Sequence, residues 1–196
     1  MADRTFAAMP AATGALRNAP LGTPGPTKAD SALDAAWLDL GFIGEDGFTE
    51  SNSRTTDKKR ALGGSTVRVL QTEYGVTVQF TFLDSMDLNV LKRVYGADNV
   101  SVDGDGNVTV KRNKKPLPHE SWVIDLFDGD KIDRSYIPDG QITEVGDVVK
   151  VHSDVVMFTV TIEAFENEDG DNIIGYLYSE EFADNGSDDE EDTENP

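Results

Sequence analysis

Residues 37–96 read WLDLGFIGEDGFTESNSRTTDKKRALGGSTVRVLQTEYGVTVQFTFLDSMDLNVLKRVYG. Within it Tyr74–Leu83 alternates strictly: Val76, Val78, Phe80 and Phe82 share one face, and Thr77, Gln79 and Thr81 the other. That two-residue period predicts a strand with one core face and one polar face. Val67–Thr72 reads as a strand before it and Trp37–Phe42 as another, followed by the turn Glu45-Asp46-Gly47. Residues 51–65 hold Arg54, Asp57, Lys58, Lys59 and Arg60 and no apolar period, so they read as a long charged loop ending at Gly63-Gly64. Leu88, Leu91 and Tyr95 recur at helical spacing and should dock a helix against the β core. Asp84 or Ser85 suits its cap, Asp87 its first turn, Lys92 and Arg93 its last, and Gly96 a left-handed stop.

Outward from this stretch the period-two pattern continues. Ser121–Asp128 is a strand signal, and in Asp154–Ala164 the residues Val156, Phe158, Val160, Ile162 and Ala164 oppose Met157, Thr159, Thr161 and Glu163. Half-polar strands of this kind belong to antiparallel sheets that meet water or a partner on one side. Asp103-Gly104-Asp105-Gly106-Asn107, between Val100–Val102 and Val108–Val110, marks a hairpin. So does Asp169-Gly170-Asp171-Asn172 before Ile173–Tyr178. The reading is a mainly β domain over residues 36–180 with one flanking helix. Residues 1–35, with Pro10, Pro20, Pro24 and Pro26, form an extended or disordered N-terminal arm. Residues 181–196 hold eight acids and no base, an acidic tail too poor in apolar residues to fold alone.

A formal net charge of -20 repels DNA from the chain as a whole and argues against tight or specific DNA binding. With no cysteine, neither a disulfide framework nor a thiolate metal site is available, so stability must come from packing and association. The start lacks a basic region followed by an apolar run, and no apolar stretch reaches membrane-spanning length, so no membrane anchor is expected.

Catalytic chemistry finds no constellation. Asp103, Asp105 and Asn107 match the opening of a calcium loop, but Val108 stands where that loop needs Gly and Lys114 where it needs a bidentate Glu. His119 and His152 lie far apart without a ligand series around them. No nucleophile, phosphate-cradling loop or cofactor motif is present, so neither enzymatic activity, metal nor cofactor is expected. Two basic clusters break the acidic background: Lys58-Lys59-Arg60, and Lys111, Arg112, Lys114 and Lys115. In a self-associating protein such patches set register against acidic surface on another copy.

The order of elements from Trp37 to Gly96, strand, turn, charged loop, Gly63-Gly64, paired strand and a helix ending Val94-Tyr95-Gly96, resembles the tail tube (major tail) proteins of long-tailed, non-contractile bacteriophages. The resemblance implies an antiparallel β-sandwich or partial barrel with one flanking α-helix. It implies six-fold rings of this chain, stacked into a hollow tube that contacts tape measure, tail terminator and distal tail proteins. Such a tube is assembled in the host cytoplasm, resides in the virion tail and passes double-stranded DNA without binding it specifically. Carried onto this chain, it makes Thr77, Gln79, Thr81, Thr159, Thr161 and Glu163 channel-facing. It places Arg54, Asp57, Lys58, Lys59 and Arg60 between subunits or rings, and Leu88, Leu91 and Tyr95 in helix packing. The rival reading is a β-sandwich binding module, adhesin-like or capsid-decorating, which calls for aromatic residues clustered in exposed loops.

Overall fold

The structure is a computed structural model that describes residues 5–11 and 14–185. In chain order come β1 (Met9–Pro10), β2 (Leu16–Pro20), β3 (Leu38–Asp39), β4 (Thr49–Arg60), β5 (Thr66–Phe82), helix α1 (Leu88–Tyr95), a 3-10 turn (Ala97–Asn99), β6 (Val100–Val102) and β7 (Val108–Val110). They are followed by β8 (His119–Asp128), β9 (Lys131–Val145), β10 (Phe158–Phe165), β11 (Ile174–Tyr178) and helix α2 (Glu180–Asn185). The protein is thus mainly β and antiparallel with one principal helix, as its alternating strands require.

One sheet runs β3-β2-β8-β9-β10-β5-β4, with β1 added to β8 and β11 to β9, while β6 and β7 form a separate hairpin. The ends of the sheet are joined by a single short stretch of chain. Residues 38–40 bond to β2, through Arg17 opposite Asp39 and the Leu40 amide donating to the Leu16 carbonyl at 3.1 Å. Residues 42–44 bond to the end of β5, where the Leu83 amide donates to the Phe42 carbonyl at 3.0 Å and the Gly44 amide to Thr81 at 2.8 Å. The sheet therefore closes on itself, which removes the free edge an open sheet would leave there. The core is the inside of this closure: Leu16, Leu40, Val76, Val78, Phe80, Phe82, Trp122, Ile137, Phe158, Val160 and Ile162 form one buried cluster.

Two devices fit β9 to its neighbours. Pro138 has no amide to give the ladder, and the β8–β9 register shifts beside it, between Glu120 and Trp122, with Ser121 Oγ donating to the Pro138 carbonyl at 2.7 Å. Gly140 lies against the Trp122 indole, which donates to its carbonyl at 3.2 Å, and a Cβ there would stand 2.8 Å from the ring.

Several readings of the sequence are corrected. Residues 51–65 are not a loop: Thr49–Arg60 is strand β4, paired along its length with β5, and only residues 61–65 turn. The two strand signals Val67–Thr72 and Tyr74–Leu83 are one strand, β5. The N-terminal segment is not an appended arm, because β2 pairs with β8 over five rungs and buries Leu16 and Ala19 completely. Asp169–Asn172 does form a tight turn, with the Asn167 amide donating to the Asp171 carbonyl at 3.0 Å, but the strand after it does not pair back on β10. β10 and β11 instead lie in succession along the same strand, β9, opposite residues 139–145 and then 132–136. Residues 181–185 of the acidic tail are helical, in α2, and residues 186–196 lie outside the described residues.

Helix α1 is capped by Asp87, one turn's start later than Asp84 or Ser85, and its carboxylate accepts from the Asn89 and Val90 amides at 2.7 and 3.0 Å. Asp84 is engaged elsewhere, by the Phe42 amide at 2.8 Å. Gly96, at φ 90°, ends the helix in a region closed to most side chains. Asp87→Ala is expected to lower stability by about 1 kcal/mol, read as a shifted urea midpoint with an unchanged slope.

Candidate assembly surfaces

The outer face of the barrel is divided between a covered and an uncovered half. Over β8 and β9, Val123 and Tyr136 point outward and are covered by residues 24–37. Trp37 stands 6.1 Å from Tyr136, edge to face, and its indole donates to the Pro24 carbonyl at 3.1 Å. A buried ion network pins that cover. Asp125, 1% exposed, accepts from Arg134 Nε at 2.5 Å, from Arg134 Nη2 at 3.1 Å and from Arg17 Nη1 at 2.6 Å. Arg134 Nη1 also donates to the Ser31 carbonyl at 2.6 Å.

The outer face of β10 and β5 keeps contact with solvent: Gln79 is exposed, and Thr77, Thr81, Thr159, Thr161 and Glu163 are half-buried. The register pairs Thr159 with Thr81, Thr161 with Gln79 and Glu163 with Thr77, so the six residues singled out on this face are brought together on two adjacent strands. The Thr81 and Thr159 hydroxyls share a hydrogen bond at 2.8 Å, and Gln79 Nε2 donates to Thr161 Oγ1 at 3.4 Å. The polar face extends beyond them: Thr49 and Ser51 of β4 stand opposite Gln79 and Thr77, and Glu144 and Gln141 of β9 stand opposite Thr161 and Glu163. β4 escaped the sequence because an all-polar strand leaves no periodic signal.

Beyond Val76, β5 parts from β10 and continues with β4 alone. Residues 66–75 at a strand's rise carry this two-stranded arm about 30 Å from the barrel. Every β4 residue is exposed, and the edge of β4 away from β5 has no partner strand among those described. Arg54 stacks on Tyr74, 4.5 Å from the ring centroid, and bonds Gln71 Oε1 at 3.0 Å, bracing the arm's base. Asp57 pairs with Lys59 at 2.6 Å. The remaining cations crowd: Lys59 stands directly opposite Arg68, with Lys58 and Arg60 on either side. Like charges facing one another across a ladder destabilise it.

The helix anchors the other end of the barrel. Leu91 is buried, Leu88 and Tyr95 pack against the core, and Tyr95 meets Phe158 edge to face at 5.7 Å. Val90 and Val94, not counted among the packing residues in the sequence reading, are buried more deeply than any of these. Arg112 of the second basic cluster lies 4.8 Å over the Tyr95 ring. Arg93 pairs with buried Glu120 at 2.9 Å; burial pushes that carboxyl above its ordinary value, opposed by Arg93.

The hairpin loop with calcium-like spacing is closed internally. Asp103 accepts from the Asn107 side chain at 2.7 Å and from the Asn107 and Asp105 amides at 2.8 and 2.9 Å, bonds that hold its carboxyl below the ordinary range. No group of three metal-ligating side chains is assembled among the described residues. His119, exposed at the start of β8, bonds Asp139 at 2.6 Å, and His152 is exposed in the loop before β10. Among the described residues no helix is long and apolar enough to cross a membrane.

A closed antiparallel barrel with one bare polar face, an exposed strand edge and a projecting hairpin is built for contact with other protein surfaces, and so defines a structural subunit. A family model described as phage tail tube protein matches residues 1–186, and the chain belongs to that family. A search of curated proteins found no match. Membership makes it a structural component of the phage tail, one that assembles with itself and with other tail components.

Proposed function

We propose that six copies join edge to edge into a ring and that rings stack head to tail into a hollow tube through which the phage genome leaves the virion. The observation that carries this reading is the bare polar face on β10, β5 and β4 beside the unpartnered edge of β4. In a ring that edge pairs with a neighbour, and Thr77, Gln79, Thr81, Thr159, Thr161 and Glu163 turn toward the channel. Hydroxyls, amides and carboxylates without a basic cluster give DNA phosphates nothing to hold, so the duplex slides. The arm, with Arg54, Asp57, Lys58, Lys59 and Arg60, reaches across the junction to the next subunit or ring. Contacts of this heterologous kind generate open filaments. Assembly takes place in the host cytoplasm, and tape measure, tail terminator and distal tail proteins bound the finished tube. The rival, an adhesin-like or capsid-decorating module, calls for aromatic residues clustered on exposed loops, whereas the exposed aromatics Phe6, Tyr178 and Phe182 that line one groove come from the N-terminal segment, β11 and α2.

Negative-stain electron microscopy of the purified chain tests the reading. Tubes of uniform diameter are expected as concentration rises; a protein that stays strictly monomeric at high concentration overturns it.

A further inference from the structure

The arm's crowded cations and the end of β11 lie toward the same end of the barrel. Val76 of β5, Ala164 of β10 and Gly140 of β9 share one rung. From that rung β5 runs eight residues outward to Arg68, and β9 runs eight residues in the same direction to Ile132. Ile132 is paired with Tyr178, the last residue of β11. Helix α2 follows directly, and residues 186–196 follow α2. Tyr178, eight residues before the acidic segment, thus lies at the end of the barrel that bears the arm, at about the distance along the strands where Lys58, Lys59, Arg60 and Arg68 stand. Its eleven residues hold six acids and no base and reach at most about 40 Å when extended. Lys58, Arg60 and Arg68 have no ion pair among the described residues, and Lys59 faces Arg68 with one carboxylate, Asp57, beside it. An anionic partner relieves that repulsion.

We propose that residues 186–196 dock on the basic end of the same chain's arm before assembly, occupying the charges that a neighbouring copy later engages. The docking follows from charge and position alone; the restraint on assembly rests on the tube reading above. The occupant is this chain's own segment, because a chain of net charge -20 disfavours a nucleic-acid partner at long range and the segment is tethered within reach.

Carbodiimide coupling, which joins a lysine amine to a carboxylate in direct contact, decides it. Unassembled protein, isolated by gel filtration at low concentration, is coupled in 0.01 M and in 1 M salt, and its proteolytic fragments are read by mass spectrometry. Mixing isotope-labelled with unlabelled chains separates links within a chain from links between chains. Links from Lys58 and Lys59 to Asp188–Glu194 within one chain are expected at low salt. They should vanish at 1 M, where screening reaches about 3 Å. Links to other acids only, links only between chains, or no link at low salt overturn the docking. So does tight binding of a labelled DNA duplex to the arm at physiological salt. Removing residues 186–196 is expected to shorten the lag of tube growth measured by light scattering; an unchanged lag overturns the restraint. Should no chain form tubes under any condition, the tube reading fails while the cross-links still decide the docking.

Discussion

Arg134→Ala is expected to destabilise the fold by about 3–5 kcal/mol, because it strands a buried carboxylate. Asp125 lies wholly inside, and Arg134 gives it two of its three charged hydrogen bonds, at 2.5 and 3.1 Å. The remaining partner, Arg17, holds one oxygen from a more solvent-accessible position. The same substitution frees the Ser31 carbonyl and loosens the cover over the outer face of β8 and β9. Urea denaturation measures the loss as a lower midpoint. Replacing both members, Asp125→Leu with Arg134→Met, is expected to recover part of it, since no buried carboxylate is then stranded and the more accessible Arg17 keeps Asp39 at 3.9 Å. A loss below about 1 kcal/mol for the single variant means that the network contributes no more than a surface pair.

The second large effect falls on association and leaves folding intact. Lys58→Ala, Lys59→Ala and Arg60→Ala together remove exposed side chains, and substitutions at such sites change stability by about 0.5 kcal/mol or less. If each cation contributes about 0.5–1 kcal/mol to a neighbour's acidic surface, the critical concentration for tube growth rises at least about tenfold. Sedimentation across a concentration series reads this, with circular dichroism confirming an unchanged melting midpoint. Polymerisation at the wild-type concentration would remove the arm from the contact between copies.

Much of the fold was legible because some strands bury one face. Val76 to Phe82 and Phe158 to Ala164 alternate, and their register pairs apolar with apolar on the core face and polar with polar outside. Helix α1 was legible through Leu91 and Gly96, although its cap lies at Asp87 because Asp84 was drawn to the Phe42 amide. β9 was not legible. Pro138 and Gly140 interrupt it, and its buried positions include Arg134, whose charge is neutralised by Asp125 directly opposite on β8, a pairing that alternation within one strand does not reveal.

The sequence by itself determined which faces are apolar, where the helix stops, and that the acids gather at one end of the chain while bases gather in one segment. Those properties are local, written in spacing and side-chain type. Only the tertiary structure decided that Thr49–Arg60 is a strand, since an all-polar segment becomes one when a long partner offers it backbone hydrogen bonds. It also decided that residues 38–44 close the sheet and that residues 24–37 cover one half of its outer face and leave the other bare. Each of these depends on a backbone pairing or a buried contact with another segment of the chain, which periodicity within one segment cannot carry.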